Sequence, residues 1–179
     1  MASAFSHIAI PIALNMALGR KLISWRLLFL GMFLSVAPDL DSIAFKLGIP
    51  YESQWGHRGF THSILFAFLV AAALIRFAKF FKCSRRAVFF ISFVSMLSHG
   101  ILDACTNGGL GVAFFWPLTD ERYFLPWREI VVSPISVSRF FTERGLAVIT
   151  SEIIYIWVPC LLLGGLIYFG RRYQLKIRK

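Results

Sequence analysis

Long apolar stretches separated by short polar clusters dominate the pattern along this chain. The longest stretches without a charged side chain are Met1 to Gly19, Gly59 to Ile75, Ala87 to Leu102, Ala104 to Thr119 and Ile153 to Gly170. A bilayer core about 30 Å thick is crossed by a helix of roughly 20 apolar residues. The pattern predicts five such helices, near 3–18, 22–37, 61–79, 86–104 and 149–169. The stretch from 104 to 119 is interrupted by glycines and Pro117, so no sixth helix is predicted there.

Composition supports this interpretation. Of 179 residues, 58% are hydrophobic and only 16% are charged, whereas soluble domains are about a quarter charged. This excludes a disordered tail, a coiled coil and a nucleic-acid-binding module. It predicts a single all-α domain over 1–179, an integral membrane bundle of about five helices. No basic residues precede the first apolar stretch, so we expect that stretch to be a retained span and not a cleaved signal peptide.

The charges are distributed unevenly along the chain. Of the 19 Lys and Arg residues, thirteen lie at alternate helix ends, and the other six share the remaining connections with all nine acidic residues. The positive-inside rule makes the thirteen-residue side cytoplasmic, together with the C-terminus. The N-terminus and the connections 38–60 and 105–148 are then expected outside. The positive net charge therefore indicates topology, and no nucleic-acid partner is expected.

All four histidines and three aspartates fall on this predicted outer side. They are His7, Asp39, Asp41, His57, His62, His99 and Asp103. His99 and Asp103 are four residues apart and share a helix face. In a soluble helix a simple His–Asp hydrogen bond would explain the pair, but ionisable groups in membrane spans are costly and usually functional. The three cysteines lie far apart and indicate neither a disulfide framework nor a thiolate zinc site.

The segment Gly56-His57-Arg58-Gly59-Phe60-Thr61-His62-Ser63 is the most informative one. Thr61 is the predicted N-cap of the third helix, with His62 in its first turn. Arg58 is a candidate clamp for a phosphate or a charged transition state. The alternative is a polar interfacial loop in which Arg58 binds a carboxylate.

Two further stretches carry candidate ligands. Pro38 is expected to end the second helix, because a proline disfavours helical geometry in the preceding residue. Asp39 and Asp41 would then form a solvated Asx turn, or ligate one ion each or bridge two. Pro11 cannot donate to the carbonyl of His7, so a break in the first helix is expected there. His7 is either structural or a ligand.

The outer connection 105–148 is rich in aromatic residues and arginines, which is typical of an interfacial belt. Together with Arg58, its arginines would also suit a lipid headgroup or another phosphate-bearing substrate. Glu152, near the start of the last helix, is a base, a ligand or a helix-end charge, and the sequence leaves these three open.

The order of these motifs resembles a known family. His7, Pro38-Asp39-Leu40-Asp41, the segment 56–63 and Ser98-His99-Gly100-Ile101-Leu102-Asp103 resemble the bacterial membrane-bound metal-dependent hydrolases, also described as LexA-binding, inner membrane-associated hydrolases. The resemblance covers roughly residues 1–150 and implies an inner-membrane hydrolase without naming a substrate. The pattern is also similar to the all-helical zinc-dependent phospholipase C and nuclease group. No histidine follows His99, which argues against that group's three-zinc site and for one or two ions.

Together these features predict a metal site where the bundle opens to the outside. The function expected there is hydrolysis of an ester or phosphoester, including lipid-linked ones, by water activated at the metal. The first expected ligands are His57, His62, His99 and Asp103, followed by Asp39, Asp41 and His7. Arg58 would stabilise developing charge, and Asp41 is the candidate base or orienting residue.

Nitrogen and oxygen ligands favour Zn and also allow Mn or Fe. Membrane lipid is the expected partner, and the sequence does not indicate an oligomeric state. Two alternatives remain open. One is a metal- or proton-coupled transporter, since intramembrane His and Asp also mark ion paths. The other is a non-catalytic membrane regulatory protein with a structural metal.

Overall fold

A computed structural model describes residues 1–134 and 136–177 of the chain. The α-helices are α1 (Ala4–His7), α2 (Ala9–Leu18), α3 (Trp25–Leu34), α4 (Ile43–Lys46), α5 (Ile64–Leu74), α6 (Ala78–Phe81), α7 (Arg85–Ala104), α8 (Val137–Phe140), α9 (Glu143–Glu152) and α10 (Val158–Ile177). Short 3-10 helices cover Ala37–Ser42, Phe60–His62 and Ile75–Phe77, and a π-helix covers Ile153–Trp157. In these described ranges there is no β-strand, only two isolated bridges. The all-α prediction is confirmed.

Consecutive helices join into longer apolar units. Four of them are long and apolar enough to cross a membrane: Trp25–Lys46, Ile64–Phe81, Arg85–Ala104 and Glu143–Ile177. The unit Ala4–Leu18 is a shorter fifth. The predicted bundle of about five apolar helices is therefore confirmed.

Helix α7 lies at the centre of the packing. It contacts α3 and α5 on its two sides, and α2 packs against α10. Gly31 permits the close approach of α3 to α7, because a Cβ there would lie 3.1 Å from the Ser95 Oγ. One apolar core cluster includes Leu27, Val88 and Ile91 and packs α3 against α7. It contains none of the histidines.

The second helical unit does not end at Pro38. Pro38 lies in the first turn of the 3-10 helix Ala37–Ser42, where its missing amide hydrogen removes no helical bond. The helical path therefore continues to Lys46, and the expected stop at residue 37 is wrong. Asp39 and Asp41 lie on this tight turn instead of in a solvated loop.

Other helix ends also differ from expectation. Ser63, and not Thr61, caps α5, because the Ser63 hydroxyl accepts a hydrogen bond from the Phe66 amide. The last unit begins at Glu143, six residues earlier than expected, and extends to Ile177. The expected break in the first helix is present at Ile8, between α1 and α2.

Candidate metal centre

All seven residues predicted as metal ligands meet at one end of the bundle. Six of them form two groups whose possible ligand atoms lie within 4.8 Å of one another, and His7 belongs to neither group. The first, called here the four-residue cluster, is Asp39, His62, His99 and Asp103. The second, called here the Asp41 cluster, is Asp41, His57 and His62, so His62 belongs to both.

The four-residue cluster has the spacing of ligands around one ion. The two Nε2 atoms of His62 and His99 are 3.0 Å apart. His99 Nε2 lies 3.3 Å from Asp39 Oδ1, and His62 Nε2 lies 3.8 Å from Asp103 Oδ2. Tetrahedral ligands of a first-row divalent ion are separated by about 3.3–3.6 Å. The four side chains therefore surround a space of the right size.

Hydrogen bonds turn both imidazoles so that their Nε2 lone pairs face each other. His99 Nδ1 lies 2.8 Å from the Ser35 carbonyl, which can only accept, so Nδ1 carries the proton. His62 Nδ1 lies 3.0 Å from the Thr61 hydroxyl, whose one proton is donated to Asp41 Oδ2 at 2.6 Å, so the imidazole Nδ1 is the donor. Two lone pairs at 3.0 Å repel each other, and a cation between them removes that repulsion.

Several acceptors beside these imidazoles lack a donor. Among the described residues, both carboxylate oxygens of Asp39 and both ring nitrogens of His7 are buried without a hydrogen-bond partner. His7 Nε2 lies 3.6 Å from Asp103 Oδ1, and the His7 ring stacks on His99. Buried polar groups are otherwise almost always paired. A neutral His7 imidazole has one nitrogen that accepts and one that donates. Acceptors therefore still outnumber donors here, and this excess fits a divalent cation.

The Asp41 cluster is hydrogen-bonded more completely. Asp41 accepts from His57 Nδ1 at 2.6 Å, from the Thr61 hydroxyl at 2.6 Å and from the Arg58 amide at 3.1 Å. Its lone pairs are largely occupied, and its contact with His62 fixes the orientation of that ring. This is the arrangement of a residue that orients a metal ligand.

Burial keeps His62 neutral. Burial lowers the pKa of the His62 imidazole below its usual value, and the contact with Asp41 opposes this shift only in part. Neutral imidazole is the form that binds a metal ion.

Arg58 is fully buried beside the four-residue cluster. Its Nε lies 3.0 Å from Asp103 Oδ2, and its terminal nitrogens donate to the Gly108 carbonyl and the Thr106 hydroxyl, each at 3.1 Å. Gly109 leaves room for the guanidinium, because a Cβ there would lie 2.6 Å from Nη1. Arg58 thus contacts a carboxylate, as the alternative interpretation of this segment expected.

Other polar residues of this region were not singled out by the sequence. Arg122 donates to the carbonyls of His57 and Tyr51, both at 2.8 Å, and so fixes the loop that carries Arg58. Ser35 contributes only its carbonyl, which no motif could reveal. Two other arginines of the outer connection also donate to carbonyls, Arg128 to Thr106 and Arg144 to Val132.

Glu152 belongs to neither cluster but lies close to them. It is fully buried and accepts hydrogen bonds from the amide and the hydroxyl of Ser3. The neighbouring Ala2 amide donates to Asp103 Oδ1 at 2.7 Å. Glu152 therefore holds the first residues of the chain against the four-residue cluster.

Comparison with known proteins is consistent with the family resemblance seen in the motifs. The family described as YdjM inner membrane protein matches residues 1–174. The inner membrane protein YbcI of Escherichia coli strain K12 is 42% identical over 173 residues, which is 96% of this chain and 100% of YbcI. No solved structure matches the chain. The chain belongs to the YdjM family of inner membrane proteins, and the resemblance predicted from its motifs is confirmed.

Proposed function

We propose that this protein is a metal-dependent hydrolase of the inner membrane that acts on an ester or phosphoester. One observation carries the proposal: two imidazoles and two carboxylates converge around a space with unpartnered acceptor atoms. The donor atoms are nitrogen and oxygen. Structural zinc sites are rich in Cys, whereas catalytic ones use His and carboxylates.

In this proposal Asp39, His62, His99 and Asp103 would hold one divalent ion, Zn²⁺ first and Mn²⁺ or Fe²⁺ next, and the neighbouring His7 would be a further candidate donor. When bound, the ion supplies Lewis-acid polarisation of the ester or phosphoryl oxygen and activation of water. Asp41 fixes the tautomer of His62, and Arg58 fixes Asp103. A second ion would have to displace hydrogen bonds within the Asp41 cluster.

Substrate would approach from the side of Asp39 and Asp41. Asp39 is 7% exposed, whereas His7, His99 and Asp103 are not exposed at all. Asp39 also has both oxygens free of hydrogen bonds. It is therefore the residue best placed to contact a substrate or to accept a proton from water.

An apolar cavity near the cluster supports a lipid-linked substrate. Its volume is about 560 Å³, and it begins at Ile64, two residues after His62. Its remaining lining residues are Leu65, Phe68, Phe93, Phe114, Phe115, Trp116, Pro117 and Leu118. The Ile64 amide donates to the Phe114 carbonyl at 3.0 Å, which fixes this wall beside the cluster. An acyl chain in the cavity would bring its ester group toward His62.

The test is hydrolysis by detergent-purified protein, measured on phosphodiester and phospholipid substrates. We expect turnover that chelator abolishes, that added Zn²⁺ or Mn²⁺ restores, and that Asp39→Asn removes. The exposed Glu121→Gln is the matched control and should keep full activity. Chelator-insensitive turnover, or equal turnover in Asp39→Asn, would contradict the proposal.

The depth of the cluster favours a second candidate, a non-catalytic regulatory protein with a structural metal. His99 and Asp103 are fully buried, as closed structural sites are. Tightly retained metal without turnover on any ester, together with a large loss of stability on chelation, would favour this candidate over the hydrolase.

We also propose that the metal centre faces the outside and that the C-terminus is cytoplasmic. The support is the positive-inside bias of the thirteen basic residues. A fluorescent protein that matures only in the cytoplasm, fused after Lys179, should be fluorescent. If a reporter enzyme that works only after export is active when it is fused at the same position, the C-terminus lies outside and the proposed orientation is wrong.

A further inference from the structure

A second cavity lies at the end of the bundle opposite the metal centre. Its volume is about 510 Å³, within the range of small-ligand sites. Three separate parts of the chain contribute to it: the turn before α3, the end of the unit Ile64–Phe81 and the start of α7. Its lining residues are Lys21, Ile75, Arg76, Ala78, Lys79, Lys82, Cys83, Ser84 and Arg85.

The charged residues that line this cavity are all positive. Five of its nine lining residues are Lys or Arg, and none is acidic. In the part of the chain that the structure describes, every ion pair joins an aspartate of the metal centre to a histidine or to Arg58. None of the five cavity cations has a carboxylate partner there. An anion bound in the cavity would relieve the repulsion among these five cations.

The backbone adds to this positive potential. Helix α7 begins at Arg85, and its cap residue Ser84 accepts a hydrogen bond from the Ala87 amide. The amides of the first turn and the positive end of the dipole of this 20-residue helix therefore lie beside the cavity. Lys82, on the adjoining turn, has a left-handed backbone with φ of 52°. This conformation ends α6 and places a cation there instead of the usual glycine.

The apolar wall indicates where the anion comes from. Ile75 and Ala78 line the cavity and belong to the membrane-length unit Ile64–Phe81. The cavity therefore lies where a span meets the headgroup layer. Basic pockets between membrane helices at this level suit phosphate headgroups. We propose that this cavity binds the phosphate-bearing headgroup of an anionic phospholipid, independently of the metal centre.

The test compares two variants with the same loss of charge. Lys79→Gln/Arg85→Gln removes two cavity cations, and Arg86→Gln/Arg172→Gln removes two exposed cations that do not line the cavity. Full-length protein in neutral detergent is titrated with phosphatidylglycerol, phosphatidylcholine or inorganic phosphate, and binding is measured by native mass spectrometry. Thermal unfolding confirms that each variant is folded.

We expect phosphatidylglycerol to bind more tightly than phosphatidylcholine and the cavity variant to lose about fivefold in affinity per charge removed. The control variant should bind as the unmodified protein does. Equal losses of affinity in both variants would show that binding depends only on the net charge of the protein, which would overturn the proposal. Displacement of phosphatidylglycerol by millimolar inorganic phosphate would assign the cavity to a soluble phosphate and also overturn it.

Discussion

The two ends of the helix bundle collect charged residues under opposite physical conditions. At the candidate metal centre, histidines, aspartates and Arg58 are buried and contact one another at 4.0 Å or less. At the basic end, Lys79, Lys82 and Arg85 are exposed and have no acidic neighbour in their cavity.

A buried charge needs a partner, whereas an exposed one is stabilised by water. The buried end therefore depends on every member of its network, and the exposed end tolerates change. Substitutions at the two ends should differ accordingly in their effects on folding and on metal content.

The largest effect is expected from Asp103→Ala. This change leaves Arg58 buried without its carboxylate and should lower the free energy of unfolding by about 3–5 kcal/mol. It should also remove bound metal. Denaturant unfolding in detergent measures the first effect, and the exposed Asp120→Ala is the control. A loss of stability no greater than that of the control would contradict the dependence of the buried end on this carboxylate.

Asp39→Asn should separate metal binding from folding. The amide has nearly the same shape as the carboxylate but lacks its charge, and the Asp39 oxygens make no hydrogen bond. Substitution of a residue that only orients a ligand lowers metal affinity by at most roughly 100-fold. We expect Asp39→Asn to lower it by more than that. Isothermal titration with Zn²⁺ measures the change. Unaltered affinity would remove Asp39 from the ligand set.

Asp41→Asn should have a smaller effect on the same titration. Asp41 orients His62 and His57 but has few free lone pairs. The expected loss is about 10–100-fold in metal affinity, without loss of binding. Complete loss of the ion would instead make Asp41 a direct ligand, as the sequence also allowed.

Arg122→Gln should loosen the loop that supports the centre. Its hydrogen bonds to the carbonyls of Tyr51 and His57 would be lost, at a cost of about 1–2 kcal/mol because the site is only partly buried. Hydrogen exchange of the amides from 51 to 59 should accelerate, while the amides of α7 remain protected. Unchanged exchange in that loop would contradict this role.

The smallest effect is expected at the basic end. Arg85→Gln should change the free energy of unfolding by less than about 0.5 kcal/mol and leave metal content unaltered. A fall in bound metal would show that the two ends are coupled.

Much of the fold follows from hydropathy alone. A helix in a bilayer must be long and apolar, so the four units of membrane-spanning length and the shorter unit Ala4–Leu18 could be predicted from the length of each stretch. Helix ends were harder to predict, because Pro38 is compatible with the first turn of a 3-10 helix and because both Thr61 and Ser63 are suitable N-caps.

The convergence of the candidate ligands could be anticipated because His and Asp are rare in apolar segments. The relative importance of those residues could not be predicted from the sequence. Asp39 has free oxygens while Asp41 accepts three hydrogen bonds, yet the two residues are separated in sequence only by Leu40. The contribution of Ser35 is a backbone carbonyl, and the link from Ser3 to Glu152 joins residues 149 positions apart.

The central claim is that Asp39, His62, His99 and Asp103 hold a divalent ion. The most direct test is elemental analysis by mass spectrometry of detergent-purified protein, unmodified and as His62→Ala/His99→Ala. We predict about one Zn, Mn or Fe per chain in the unmodified protein and none in the variant. The claim would be contradicted if the folded, unmodified protein contained no transition metal and took none up, or if the variant retained the same amount.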